Sequence, residues 1–383
     1  MTTKMFYVAL GTLGTLVGSL SGGTAAFAQN SVTLYGKIDT GITYVSNEGG
    51  SANYRADDSK MYGNRWGLLG SEDLGGGLKA VFRLENGFAL NTGQLKQGGA
   101  EFGRQAYVGL SSDFGTLLFG NQYDFTNDFI LQYNVSAYAT GYSIHQGDFD
   151  RVGGDRLQNA VKYTSPDLKG LSFGGMYSFS NRAGDFHNGS SWSAGVNYAH
   201  GPFAASVAYT RLNQPSGLAA LDPYGAIGVT TFLGQTVATR DPVTGAVTDL
   251  YASTPFNVDS QGTLGVGASY TLGKLMLMGN FTDTTFKGYG QSSSMKVYEA
   301  GGVYNFTEAL FGVLGYQYTT FEGHHWNSIS AGATYALSKR TSVYAGADFL
   351  VASSGVDANI GYNFTPSSSQ HQSMARIGMF HSF

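Results

Sequence analysis

SVTLYGKIDTGITY, residues 31–44, alternates without a break. Val32, Leu34, Gly36, Ile38, Thr40, Ile42 and Tyr44 fall on one face, and Thr33, Tyr35, Lys37, Asp39 and Thr43 on the other. A period of two held over a dozen residues predicts one long strand. A strand crossing a bilayer at a tilt of roughly 45° needs about 9 to 11 residues, whereas strands of soluble proteins run to about 5 or 6. The length points to a transmembrane β-barrel, and the charges on the second face point to water inside it.

Upstream, Lys4, the apolar run from Met5 to Leu20 and the small residues of Ala26-Phe27-Ala28 read as a signal peptide over residues 1–28. Cleavage after Ala28 leaves Gln29 at the mature terminus. A membrane anchor fits less well, because the apolar core is short and no charged stop follows it. No later run is long and apolar enough for a spanning helix, so an exported chain of this kind is periplasmic, secreted or an outer-membrane barrel. Composition agrees with many short-turned strands: of 383 residues, 56 are Gly, 25 Tyr and 25 Phe, which puts glycine at about twice its usual share. The absence of cysteine removes disulfides and thiol chemistry but names no compartment. The formal charge of -4, made one unit more negative by loss of Lys4, is no nucleic-acid footprint.

Downstream the alternation recurs. Arg65 to Gly70 and Leu78 to Glu85 flank the turn Glu72 to Gly77, and a polar loop through Asn47, Glu48, Asn53, Arg55, Asp57, Asp58 and Lys60 precedes them. Strands follow at 102–110 and 115–122, 156–164 and 171–179, 191–199 and 203–210, 263–271 and 274–282, 296–306 and 310–319, 326–337 and 341–350, and finally 374–383. The expected total is sixteen strands, with seven tight turns at one end and eight longer connectors at the other. An even number lets the first and last strands pair and removes the sheet edges that lipid would not tolerate. The longest connector, 211–261, carries most of the prolines, and some local structure is expected around Ile227 to Thr239. Aromatics such as Tyr44, Tyr163, Tyr198, Tyr270, Tyr304 and Phe306 gather at strand ends, where two interfacial girdles would sit. ARIGMFHSF sets Ala375, Ile377, Met379, His381 and Phe383 outward.

One connector differs in kind. Residues 123–155 hold Phe125, Phe129, Ile130, Leu131, Tyr133, Tyr138, Tyr142, Ile144 and Phe149 together with Asp124, Asp128, Asp148, Asp150 and Asp155. That much apolar surface is costly to leave in water, and that many acids cannot be buried dry. The segment is expected to fold against the inside of a wide, wet barrel. Across from it, Lys37, Arg65 and Arg83 are out of phase with their lipid-facing neighbours. A charge facing lipid at the midplane costs roughly 2 to 4 kcal/mol, so these side chains should point inward. Arg104 alternates less cleanly with Gln105 and Ala106. The simpler reading of these cations is that they bridge lumen carboxylates.

Several blocks, SVTLYGKIDTGI at 31–42, NRWGLLGSEDLGGGLKAVFRLENGF at 64–88, FGRQAYVGLSSDFGTLLFGNQY at 102–123, AVKYTSPDLKG at 160–170 and the terminal Phe383, resemble the general porins of Gram-negative outer membranes, the trimeric sixteen-stranded type of beta-proteobacteria. The resemblance implies a homotrimer of barrels in outer-membrane lipid and lipopolysaccharide, with a third external loop bent inward as a constriction. It also implies a basic wall including Arg65, Arg83 and Arg104, facing Asp124, Asp128 and Asp148 of that loop, and a terminal phenylalanine that serves insertion. The chain departs from the family at Asn121, Phe380 and Ser382, where basic residues are usual. It also lacks the proline-glutamate-phenylalanine element of the loop tip, to which Asn127-Asp128-Phe129 is nearest.

The function expected is passive diffusion of small hydrophilic solutes and ions, with weak charge selectivity because wall positives are missing. A substrate-selective channel is the nearest alternative, with Tyr133, Tyr138 and Tyr142 as an aromatic track. A binding or adhesion protein, using 211–261, is more remote. An enzyme is not expected: no serine elbow and no metal-spaced set among the seven histidines is present, and no cofactor, metal or nucleic acid is implied.

Overall fold

A computed structural model of the chain describes residues 31–216, 221–361 and 364–383; the signal peptide expected at 1–28 lies outside them. In chain order the elements are β1 (Ser31–Glu48), β2 (Ser51–Asp58), β3 (Arg65–Gly75), β4 (Leu78–Gly87), β5 (Gln105–Ser112), β6 (Gly115–Tyr123), α1 (Phe125–Ile130), β7 (Arg156–Thr164), β8 (Leu171–Ser178), β9 (Ser191–His200) and β10 (Phe203–Asn213). The external loop after β10 holds α2 (Pro223–Ile227) and two small hairpins, β11 (Thr231–Phe232) with β12 (Gln235–Thr236) and β13 (Ala238–Arg240) with β14 (Val247–Asp249). Then come β15 (Ser260–Leu272), β16 (Leu275–Gly288), β17 (Gln291–Asn305), β18 (Leu310–Phe321), β19 (His324–Ala336), β20 (Thr341–Ala352) and β21 (His371–Ser382).

All but the two small hairpins join one 17-stranded antiparallel sheet. Because β2 and β3 pair with successive halves of the same edge of β1, they are one stave broken at residues 59–64, and the barrel has sixteen staves. Closure is by β1 against β21, from Lys37 opposite Ser382 to Val45 opposite Met374. Phe383 adds a last backbone pair with Gly36, at 3.0 and 3.1 Å. Its ring occupies the space a side chain on Gly36 would need.

The phase read from β1 holds: Val32, Leu34 and Ile42 are 58–66% exposed on the lipid side, while Asp39 and Thr43 are fully buried within. Two expectations need correction. The polar loop after the first strand is largely strand, since β2 extends the stave beyond the bilayer, where its polar side chains meet water. Three of the eight longer connectors are two-residue turns, Gly49-Gly50, Tyr289-Gly290 and Glu322-Gly323, in which both residues have positive φ (61° and 104°, 54° and 70°, 49° and 77°). That is the hairpin geometry matching strand twist, and it lets β16–β19 stand tall above the membrane.

The tall strands line their inner face with apolar side chains near the mouth. Phe286, Phe321, Trp326 and Leu350 are buried there against Phe232 and Phe256 of the 214–259 loop and Val356, Ile360 and Phe364 of the loop before β21. Each such side chain contributes roughly 1.5 to 3 kcal/mol by leaving water. The longest loop therefore folds into the mouth and covers one side of it.

Candidate functional site

The loop between β6 and β7 turns inward at Asp124, whose side chain accepts from Asn127 N at 3.1 Å and caps α1. It then crosses the inner face of β8–β10 and β15–β20 in close contact. The crossing depends on a row of inward glycines. A methyl on Gly195 would sit 2.7 Å from the Phe129 ring, on Gly265 2.8 Å from Ile130, on Gly301 2.9 Å from Val135, and on Gly332 or Gly346 2.7 Å from the Ala139 carbonyl. At Gly174 and Gly267 it would overlap Phe125 and Tyr133. Glycine in a strand weakens it and here marks a close backbone approach. The excess of glycine in the sequence has, in part, this cause.

Polar bolts fix the loop along the row. His145, fully buried, is hydrogen-bonded through Nδ1 to Asp150, and its Nε2 lies 3.6 Å from Glu299 of β17. Thr282 of β16 donates to Asp150 at 2.6 Å. Glu299 accepts from Ser136 N and Oγ at 2.9 and 2.8 Å and from Asn280 at 2.6 Å. Burial alone would push the imidazole down, but Asp150 and Glu299 outweigh it and raise its pKa to about 10. Further along, Thr140 and Ser143 hydrogen-bond to Asp348 of β20.

The wall on the other side, β1 and β3–β7, carries charge. Lys37, Arg65, Arg83 and Arg156 are half-buried on its inner face. None has a carboxylate within 4.0 Å among the described residues. Lys37 rests over the Tyr62 ring at 3.5 Å, and Arg83 lies 5.7 and 6.0 Å from the rings of Tyr35 and Tyr107. Arg156 lies over the Tyr123 ring and donates to its hydroxyl at 2.6 Å.

Other expected residues have different places. Arg104 is only 9% exposed; its Nε pairs with Glu85 at 2.8 Å and its Nη2 donates to Tyr123 at 2.7 Å, so it braces the wall. Asp124 is fully buried, holding the α1 cap and Arg151 Nε at 2.8 Å, and does not face the lumen. Asp128 does face it. It pairs with Lys162 of β7 and lies within electrostatic reach of Arg83. Asp148 borders an external cavity of about 1130 Å³ together with Arg151, Asp155, Arg156 and Lys96. Burial and the neighbouring Asp155 and Asp150 raise its pKa well above the usual carboxylate range. Asn121 donates to the Gly103 carbonyl at 3.1 Å, and Phe380 stands on the inner phase of β21 opposite Asp39. Tyr133 and Tyr142 are buried at the wall, bonded to Ser206 and to Asp57 and Thr43, so they form no track; Tyr138 is half-buried.

Sequence reasoning passed over Lys162, Arg156 and the glycine row. Lys162 was within reach, since Val161 and Tyr163 flank it in the lipid phase. Among the described residues no group of three or more His, Cys, Asp or Glu could hold a metal ion.

A family model described as Gram-negative porin matches residues 15–354. An outer membrane porin protein of Bordetella pertussis is 33% identical over 356 residues, spanning 84% of this chain and 89% of its own length. Outer membrane porin protein 32 of Delftia acidovorans is 28% identical over 387 residues, spanning 95% and 97%. Among solved structures, a protein described as an anion-selective porin from Comamonas acidovorans superposes with a TM-score of 0.73 at 24% identity, over 93% of this chain and 100% of that one.

Proposed function

The chain belongs to the Gram-negative porin family, and from that premise we propose that it is a general diffusion pore whose weak charge preference favours anions. Family membership makes it a non-catalytic passive channel of a Gram-negative outer membrane. The sign and strength of selectivity are the further step. The observation that carries them is the charge balance across the lumen: Lys37, Arg65, Arg83 and Arg156 have no ion-pair partner among the described residues, whereas Asp128 opposite them is held by Lys162. A transverse field of this kind orders water and admits ions and small hydrophilic solutes while rejecting bulky apolar ones. Asn121 and Phe380, in places where the resemblance to the family leads to an expectation of basic residues, keep the preference weak.

Planar-bilayer recording of the purified protein under a potassium chloride gradient tests this. The expected zero-current potential has the sign of modest chloride preference and shrinks in high salt, because screening shortens the reach of wall charges. A cation-preferring sign overturns the reading.

Three further proposals rest on the resemblance and on local sequence. Residues 1–28 are a signal peptide and 29–383 the mature barrel. The assembled unit is a homotrimer, which mass measurement of the detergent-solubilised protein by light scattering would check. Phe383 serves barrel assembly, in keeping with its backbone pair to Gly36.

A further inference from the structure

Strand register places Lys37 of β1 directly opposite Arg65 of β3. Like charges in directly opposed positions weaken an antiparallel pair, and among the described residues no carboxylate lies within 4.0 Å of either. Glu85, which acts on Arg65 electrostatically, is itself held by Arg104 Nε and the Tyr35 hydroxyl, so the juxtaposition calls for a reason. Asp39, the nearest acid in sequence, does not supply one. It is fully buried and accepts from Tyr344 at 2.6 Å, Lys60 N at 2.6 Å and Tyr62 N at 3.3 Å. Among the described residues the Arg65 guanidinium makes one hydrogen bond, from Nε to the Gly63 carbonyl at 3.0 Å, which leaves its Nη groups for something else.

Beside this cation pair lies an aromatic corner. The Tyr62 and Phe380 rings meet edge to face, centroids 4.6 Å apart at 72°, and Lys37 Nζ lies 3.5 Å from the first and 5.4 Å from the second. Lys37, Tyr62, Arg65 and Phe380 are all half-buried rather than sealed in the wall. Charge alone would attract any anion. The two rings add a feature that chloride, phosphate or acetate cannot use.

We propose that Lys37, Arg65, Tyr62 and Phe380 form a subsite for small aromatic carboxylates of the benzoate class. The carboxylate bridges Lys37 Nζ and the Arg65 Nη groups, where charge-assisted hydrogen bonds are strongest, and the ring packs against Tyr62 and Phe380. The inference rests on the channel reading and gives that channel a preferred class of solute. An aromatic contact of this kind favours benzoate over acetate by roughly 3- to 10-fold.

The test is chloride current through single channels of the mature protein titrated with sodium benzoate, sodium acetate and sodium cyclohexanecarboxylate. Benzoate should reduce current at a concentration roughly 3- to 10-fold below that for acetate, with cyclohexanecarboxylate between them. Phe380→Leu, which keeps apolar bulk but no aromatic face, should lower the benzoate-to-acetate ratio; Phe380→Ala should lower it further, leaving only the residual preference that the Tyr62 ring supplies. Lys37→Gln should weaken block by both carboxylates together. Chloride current with equal benzoate and acetate block, or an unchanged ratio in Phe380→Ala, overturns the subsite and leaves the channel reading standing. Absence of chloride current in the parent overturns the channel reading and the subsite with it.

Discussion

The two sides of the barrel interior use opposite side-chain volumes. On β8–β10 and β15–β20 the inner face is cut back to glycine at Gly174, Gly195, Gly265, Gly267, Gly301, Gly315, Gly332 and Gly346, and the inward loop fills the groove. On β1 and β3–β7 the inner face carries Lys37, Arg65, Arg83 and Lys162, which reach into the lumen or to Asp128. Both are antiparallel sheet with the same pleat. Inner-face volume decides which side takes the chain's own loop and which side is left for water and ions.

The largest effect should come from the bolt that keeps the loop on the glycine side. His145→Ala leaves Asp150 and Glu299 buried without their cation, a loss of about 3 to 5 kcal/mol. A clear fall in the thermal midpoint of the folded barrel and noisier single-channel current are expected. The same pair gives a pH dependence. The folded pKa of His145, about 10, lies above its unfolded value of about 6.5. The stabilisation is therefore complete below about pH 6.5 and disappears as pH rises through about 10. The parent should lose stability over that window, and His145→Ala should flatten the slope; equal slopes in the two proteins would count against the bolt.

Next in size is overpacking of the groove. Gly267→Ala forces a methyl into the Tyr133 ring, at about 1 to 3 kcal/mol, and should lower single-channel conductance by moving the loop toward the charged wall. Gly175→Ala, on the same sheet but with nothing within 4 Å, is the matched control. If both variants conduct as the parent does, the groove does not set the bore. Deleting Phe383 removes two backbone hydrogen bonds at the seam, about 0.5 to 1.5 kcal/mol each, and should reduce the yield of heat-modifiable folded barrel without affecting export. Undiminished yield would remove Phe383 from assembly.

What the sequence made legible follows the same division. The staves were readable because lipid enforces strict alternation: Val32, Leu34 and Ile42 outside, Lys37 and Asp39 inside. The inward loop was readable from its mixture of aromatics and acids. Its contacts were not: Asp124 was expected as a lumen acid, and nothing local in the sequence showed that it would cap α1 and be buried against Arg151. The turns at Tyr289 and Glu322 escaped because neither residue ordinarily takes a positive φ. The packing of the long loop escaped because Phe286, Phe321 and Trp326 look like strand-end aromatics until the partner loops cover them. Arg104 read as a wall cation because Glu85, its neutralising partner, lies on another strand.

The central claim is that ions pass along the charged wall and take their selectivity from it. Zero-current potential at low salt, compared between the parent and the Arg65→Ser/Arg83→Ser double variant, tests this most directly. The account predicts a shift toward cations in the double variant that fades as salt is raised. Matching potentials and matching single-channel conductance in the two proteins would contradict it.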